Sequence, residues 1–105
     1  MLFGDHLILL RGGGDLATGV AYRLHKCGFP VIVTELPRPL VVRRRVSLAT
    51  AVLEGEITVE DLRGVRVASA ADAWALAMTG AISVLPSPEW PPVGDARRPA
   101  VLIDA

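Results

Sequence analysis

The chain has 105 residues, of which 51% are hydrophobic, and this is enough apolar material for the core of one small domain. The 11 basic and 11 acidic residues give a formal net charge of zero, which argues against nucleic acid or an anionic membrane as partners. The single cysteine excludes an internal disulfide, and no apolar stretch is long enough to cross a membrane. We therefore expect a cytoplasmic single-domain protein without a signal peptide.

The N-terminal third begins with a predicted strand, a glycine-rich turn and a predicted helix. Residues 7–10 are all apolar, as expected for a strand that is buried on both faces. The predicted helix ends at Gly28, and we expect Cys27 to be buried on its apolar side. Helical spacing predicts one apolar stripe with two alanines beside it: Leu16, Val20, Leu24, Cys27, Ala17 and Ala21.

The three consecutive glycines between this strand and helix are here called the glycine loop (Gly12, Gly13 and Gly14). With Ala17 they match the G-x-G-x-x-G/A spacing that binds a pyrophosphate at a helix N-terminus. Gly12 would allow the sharp turn, and Gly14 would let a phosphate approach the backbone. Ala17 is small enough for the helix to lie close to the strand. The sequence therefore predicts a nucleotide-binding loop, with a purely structural glycine turn as the alternative.

A second apolar run, residues 31–33, predicts the next strand, which is followed by Glu35. Glu35 lies 21 residues after Gly14, close to the ~20-residue distance at which a carboxylate meets ribose hydroxyls in such folds. The alternative is an ordinary polar strand end. Arg38 could accept a 2′-phosphate, so NAD and NADP both remain open at this point.

The middle of the chain predicts a short helix over residues 47–53, with Ser47 as its N-cap, and then a small antiparallel hairpin. The hairpin strands are residues 57–59 and 65–67, around a turn at residues 61–64. A second long helix is expected over residues 70–78, between a Ser69 cap and Gly80.

The last third predicts two strands separated by a proline-rich loop. Residues 82–85 form one strand, and residues 101–103, followed by Asp104, form the last. Five of the eight prolines lie in the loop at residues 86–99, where we expect Trp90 to pack against the core.

This order of elements predicts an α/β, Rossmann-like fold, with a mostly parallel sheet, helices on both faces and a small inserted hairpin. Ligands of such sheets bind outside the carboxyl ends of the strands, which would place Asp104 beside the glycine loop. The candidate cofactor-binding residues are Arg11, Gly12, Gly13, Gly14, Asp15, Leu16, Ala17, Glu35 and Asp104.

Several charged candidates have two interpretations. Asp15 could be an N-cap, or it could bind a hydroxyl, an amino group or a ligand-associated metal ion. A carboxylate there would compete with an anionic ligand for the helix amides. Arg43, Arg44 and Arg45 could form a solvated surface, or could clamp a phosphorylated ligand or an acidic partner.

Three stretches resemble the N-terminal part of a known family: RGGGDLATGVAYRLHKCGFPVIVTELPRP, VRRRVSLATAVLEGEITVED and VLIDA, which begin at residues 11, 42 and 101. They resemble the selenium-dependent molybdenum hydroxylase accessory proteins of the YqeB type, which are related to the XdhC/CoxF maturation factors. The family carries Asp15 within the same glycine motif, and its members are substantially longer. The resemblance implies that residues 1–105 are a Rossmann-like domain at the start of a longer protein.

The resemblance also implies a function: assisting the maturation of a molybdenum hydroxylase by binding a nucleotide or the molybdenum cofactor through the glycine loop. NAD(P) and molybdopterin cytidine dinucleotide are both candidate cofactors, and the hydroxylase is a candidate partner. The alternatives are the NAD(P)-binding domain of a dehydrogenase and a non-catalytic interaction module. No catalytic residue is predicted. If the chain is complete, we expect a homo-oligomer, because no helix follows the last strand to cover it.

Overall fold

The computed structural model describes residues 6–36, 47–59, 61–86 and 101–104, and gives only the backbone of Asp15, Leu16, Val101, Leu102 and Asp104. The described elements are β1 (Ile8–Arg11), α1 (Asp15–Lys26), β2 (Val31–Thr34), α2 (Thr50–Glu54), β3 (Glu56–Val59), β4 (Leu62–Arg66), α3 (Ala70–Ala77), β5 (Ile82–Leu85) and β6 (Val101–Asp104). The predictions for Arg38, Arg43, Arg44, Arg45, Trp90 and the 87–99 loop lie outside the described residues. No described helix combines the length and apolar character needed to cross a membrane.

The six described strands form one sheet in the order β3-β4-β5-β2-β1-β6. Within the sheet, each pair of neighbours in the order β4-β5-β2-β1-β6 is parallel. Of the described pairings, only that of β3 with β4 is antiparallel. This confirms the predicted α/β fold with a mostly parallel sheet. The order β5-β2-β1-β6 corresponds to the 3-2-1-4 order of a Rossmann fold, and β4 and β3 extend the sheet beyond it.

Helices cover both faces of the sheet, as predicted. Ile8 and Leu10 of β1 belong to the apolar cluster that includes α1 and α2. Leu7 and Leu9 point the other way and pack in a second cluster with Ala73 and Ala77 of α3. Because successive side chains of a strand alternate between the faces, a strand covered on both faces must be apolar at every position.

Helix α1 turns a different side toward the sheet from the predicted one. Ala17 and Ala21 are buried, whereas Val20 is 39% exposed and Cys27 is exposed, so the prediction of a buried Cys27 is wrong. Val20 and Cys27 lie roughly 60–80° around the helix from Ala17. The small residues face the core, and this lets the helix axis lie close to the strands. Gly28, with φ +99°, follows the helix as predicted.

The β3–β4 hairpin has longer strands than predicted, and it belongs to the main sheet. Val59 is paired with Leu62, so the second strand of the hairpin begins at Leu62, three residues before the predicted start at Val65. Strand β4 also pairs in parallel with β5, which makes the hairpin part of the main sheet. Gly64 lies inside β4, where a Cβ atom would come within 2.6 Å of Leu48 Cδ2. The lack of a side chain at Gly64 therefore lets Leu48 pack directly against β4.

Helix α2 begins at Thr50, three residues later than predicted, and residues 47–49 form a turn in front of it, here called the 47–49 turn. The Thr50 N–H donates to the Ser47 carbonyl at 3.1 Å, which is a turn contact and not a side-chain cap. Gly55, with φ +88°, ends the helix. In α3 the predicted cap is confirmed, because Ser69 Oγ accepts a hydrogen bond from the Asp72 N–H at 3.1 Å.

The C-terminal end of α1 is held by polar contacts to residues that precede β4 and β5. These contacts lie at the opposite end of the strands from the glycine loop. His25 Nε2 is hydrogen-bonded to the Gly80 carbonyl, and Lys26 Nζ donates to Asp61 Oδ2. The hydrogen bond from Lys26 lowers the pKa of Asp61 and raises that of Lys26. Both side chains are exposed, so this ion pair orients the hairpin turn more than it stabilises the fold.

Two leucines next to or within α2 offer a matched test of this packing. Leu48 is fully buried, whereas Leu53 is 42% exposed. We expect Leu48→Ala to lower the free energy of unfolding by about 2–5 kcal/mol, because it leaves a cavity above Gly64. Leu53→Ala should cost less than about 1 kcal/mol. Urea denaturation followed by circular dichroism measures both, and equal losses would contradict this description of the core.

Candidate functional site

The site predicted from the sequence lies at the carboxyl ends of β1, β2 and β6. Arg11, the last residue of β1, has Thr34 of β2 and Asp104 of β6 as its register partners. From β1 the chain proceeds to β2 on one side, whereas β6 lies on the other side, so the topology reverses at β1. Open α/β sheets bind ligands at such a switch point. The fold thus brings the backbones of Arg11 and Asp104 together beside the glycine loop.

Gly12 makes the turn out of β1. Its φ is +96°, which side chains with a Cβ rarely adopt, and its N–H donates to the Thr34 carbonyl at 2.8 Å. The glycine therefore continues the pairing of β1 with β2 and then redirects the chain toward α1, which is the role that its spacing predicts.

Gly13 is a glycine because of its surroundings. A Cβ atom here would lie 3.0 Å from Val33 Cγ1 and 3.1 Å from the Ala49 backbone nitrogen. The Gly13 carbonyl accepts a hydrogen bond from the Ala49 N–H at 2.8 Å. The 47–49 turn is thus in direct contact with the glycine loop, a contact that the motif spacing does not predict.

Gly14 faces open space. It is exposed, and no described heavy atom beyond its chain neighbours would lie within 4 Å of an added Cβ. Its backbone angles, φ −67° and ψ −176°, are accessible to any residue. The absence of a side chain here leaves room for a ligand group above the backbone, and Ala17, buried one turn later, allows the close helix packing that the motif predicts.

Glu35 is fixed against the glycine loop. Its Oε2 accepts a hydrogen bond from the Gly13 N–H at 2.7 Å, and its Oε1 accepts one from the Leu36 N–H at 2.8 Å. An ionised carboxylate has about four acceptor positions, so each oxygen can accept one further hydrogen bond. The carboxylate is half-buried, and its two backbone contacts fix its position beside the glycine loop.

The N-terminus of α1 begins directly at the glycine loop. Gly14 is the N-cap and Asp15 is the first helical residue, so the interpretation of Asp15 as an N-cap is wrong. The first helical hydrogen bond runs from the Thr18 N–H to the Gly14 carbonyl at 2.9 Å. The amides before Thr18 have no acceptor within the helix and, with the helix dipole, favour an anion. A role for Asp15 toward a ligand remains a prediction.

Thr18 is a residue of the site that was not predicted from the sequence. It is 3% exposed, and its Oγ1 donates to the Gly14 carbonyl at 2.7 Å. The same oxygen accepts a hydrogen bond from the Leu48 N–H at 2.9 Å. A threonine four residues after a helix N-cap can be expected to bond back to the preceding turn. Its second partner lies 30 residues away, and no local pattern indicates it.

Comparison with known proteins gives one informative similarity. The chain is 40% identical over 102 residues to the Uncharacterized protein YqeB of Escherichia coli (strain K12). The alignment covers 97% of this chain and 19% of that protein, so the chain spans about a fifth of the relative's length. No family model and no solved structure matches the chain. The similarity is consistent with a YqeB-type family, and it says nothing about the XdhC/CoxF proteins.

The same substitution at two neighbouring glycines tests the site geometry. Gly13→Ser should lower the free energy of unfolding by about 1–3 kcal/mol, because its Cβ meets Val33 and the Ala49 backbone. Gly14→Ser should change the free energy of unfolding by less than about 0.5 kcal/mol, because its Cβ enters open space. Serine is also a favoured N-cap. Thermal and urea denaturation measure both variants, and a larger loss for Gly14→Ser would refute the assignment.

Proposed function

We propose that this chain is a Rossmann-like domain that binds a nucleotide or dinucleotide-type cofactor at the glycine loop, as part of an accessory factor for maturing a molybdenum hydroxylase. The observation that carries the binding proposal is the position of the Glu35 carboxylate on the Gly13 amide, next to the open space at Gly14. The accessory role is supported by the resemblance of the glycine motif and the downstream stretches to that family.

The ligand's phosphates are assigned to the N-terminus of α1. The amides of Gly14, Asp15 and Leu16 precede the first helical hydrogen bond, and such amides bind phosphate oxygens well. The lack of a side chain at Gly14 lets the phosphate approach the backbone. Arg11, half-buried at the end of β1, is the nearest basic residue in the sequence and the candidate counter-charge.

The ribose is assigned to Glu35, and Asp104 is the candidate for a second contact across the switch point. The remaining acceptor positions of the Glu35 carboxylate suit a pair of ribose hydroxyls. A carboxylate in this place would repel a 2′-phosphate, so an unphosphorylated ribose is favoured.

NAD and molybdopterin cytidine dinucleotide both combine a pyrophosphate with such a ribose, and the residues fit either one. The molybdenum cofactor would supply the hydroxylase with its metal centre, while this chain binds its nucleotide end.

Binding is tested by calorimetry with NAD, NADP, CTP and molybdopterin cytidine dinucleotide. We expect at least one to bind, and Gly14→Val to weaken that binding at least about 100-fold by filling the phosphate space. Gly19→Val is the matched control, because Gly19 also faces open space but lies on α1 away from the loop. Circular dichroism checks that both variants fold. Failure of all four ligands, or equal affinities of the two variants, would refute the binding proposal.

The accessory role needs a separate test in cells. In a strain without the gene that encodes this chain, we expect purified molybdenum hydroxylase to contain at least about tenfold less molybdenum per protein than in the parent strain. Restoring the gene should restore the metal content measured by mass spectrometry. The gene carrying Gly14→Val should not. Unchanged molybdenum content in the deletion strain would refute the accessory role and leave the binding proposal to the calorimetric test.

A further inference from the structure

We propose that Thr18 is a positioning residue, whose buried hydroxyl clamps the glycine loop to the 47–49 turn and thereby fixes the amides that face the ligand. The part of this inference that concerns the ligand depends on the proposed function; the clamp itself does not. Two adjacent carbonyls of the loop take part. The Gly13 carbonyl is bonded to the Ala49 N–H, and the Gly14 carbonyl is bonded to Thr18 Oγ1.

The hydroxyl uses both kinds of hydrogen bond that it can make. It donates its proton to the Gly14 carbonyl at 2.7 Å and accepts the Leu48 N–H at 2.9 Å. The Gly14 carbonyl therefore has two donors, since the Thr18 N–H also bonds to it at 2.9 Å. Thr18 and Leu48 are both buried, so water cannot take over these contacts without disrupting the packing.

The two carbonyls determine where the ligand-facing amides point. A trans peptide group is planar, so fixing its carbonyl oxygen also fixes the opposite direction of the next N–H. The bond from Ala49 to the Gly13 carbonyl thus orients the Gly14 N–H. The bonds to the Gly14 carbonyl likewise orient the Asp15 N–H. These are the first two amides of the proposed phosphate site.

Three consecutive glycines would otherwise be the most mobile backbone in the site, because glycine loses more conformational freedom on ordering than any other residue. A ligand that had to order the loop would bind more weakly by the corresponding loss of entropy. The clamp orders it in advance. The 47–49 turn therefore supports the glycine loop from outside the motif, and ligand binding and the order of the turn depend on each other.

Three variants separate the clamp from general stability. Thr18→Val keeps the shape of the side chain and removes the hydroxyl, whereas Thr18→Ser keeps the hydroxyl. Ser83→Ala is the control, because it removes another buried hydroxyl, which donates to the Ala73 carbonyl at 2.6 Å on the opposite face of the sheet. If Thr18→Val does not fold, Thr18→Ala removes the same hydroxyl and leaves a smaller side chain.

The first measurement needs no ligand: amide hydrogen exchange at Leu48 and Ala49, followed by NMR and compared with the globally exchanging amides of each variant. We expect Thr18→Val to increase exchange at least about tenfold, because it removes the acceptor of the Leu48 N–H. Thr18→Ser and Ser83→Ala should stay within about twofold of the wild type. Exchange in Thr18→Val at the wild-type rate would overturn the clamp.

The second measurement is the affinity of each variant for the nucleotide that the wild type binds. Thr18→Val should bind about tenfold more weakly, and Thr18→Ser within about twofold of the wild type. Equal affinities of Thr18→Val and Ser83→Ala would overturn the ligand-related part. If the wild type binds no nucleotide, the proposed function and this part fail together, while the exchange measurement still decides whether the clamp exists.

Discussion

The peptide groups on either side of Gly13 connect the elements from which the site is built. The Gly13 N–H is bonded to the Glu35 carboxylate after β2, and the Gly13 carbonyl is bonded to the Ala49 N–H in front of α2. The residue is packed so closely against Val33 and Ala49 that an added Cβ atom would force these neighbours to shift. The position of the acid, the direction of the loop and the start of α2 therefore depend on one residue without a side chain.

The fold could be predicted well where local chemistry determines it. Buried parallel strands are continuous apolar runs, and α3 has a serine cap and a glycine stop, so these elements were found close to their observed bounds. The start of β4 was missed because Leu62, Arg63 and Gly64 have the composition of a turn. A Cβ atom at Gly64 would instead collide with Leu48, which packs over the strand from a distant part of the chain. A contact of this kind has no signature in the local sequence.

The same distinction applies to the site. The βαβ unit brings Glu35, which follows β2, to the Gly13 amide of the glycine loop. The role of Glu35 toward a ribose stays a prediction. Thr18 was missed because its role depends on Leu48, which a strand and a stretch of connecting chain separate from it. Cys27 was assigned to the core because hydropathy alone does not distinguish a large residue beside the buried face from a small residue within it.

The exposure of Cys27 has a practical consequence. It is the one cysteine of the chain, and it lies at the end of α1 opposite the glycine loop, about 20 Å from Gly14 along a helix that rises ~1.5 Å per residue. An accessible thiol can be alkylated selectively. A fluorophore or spin label attached there would report on the domain from a single position without an engineered cysteine, and it would leave the loop itself chemically unchanged.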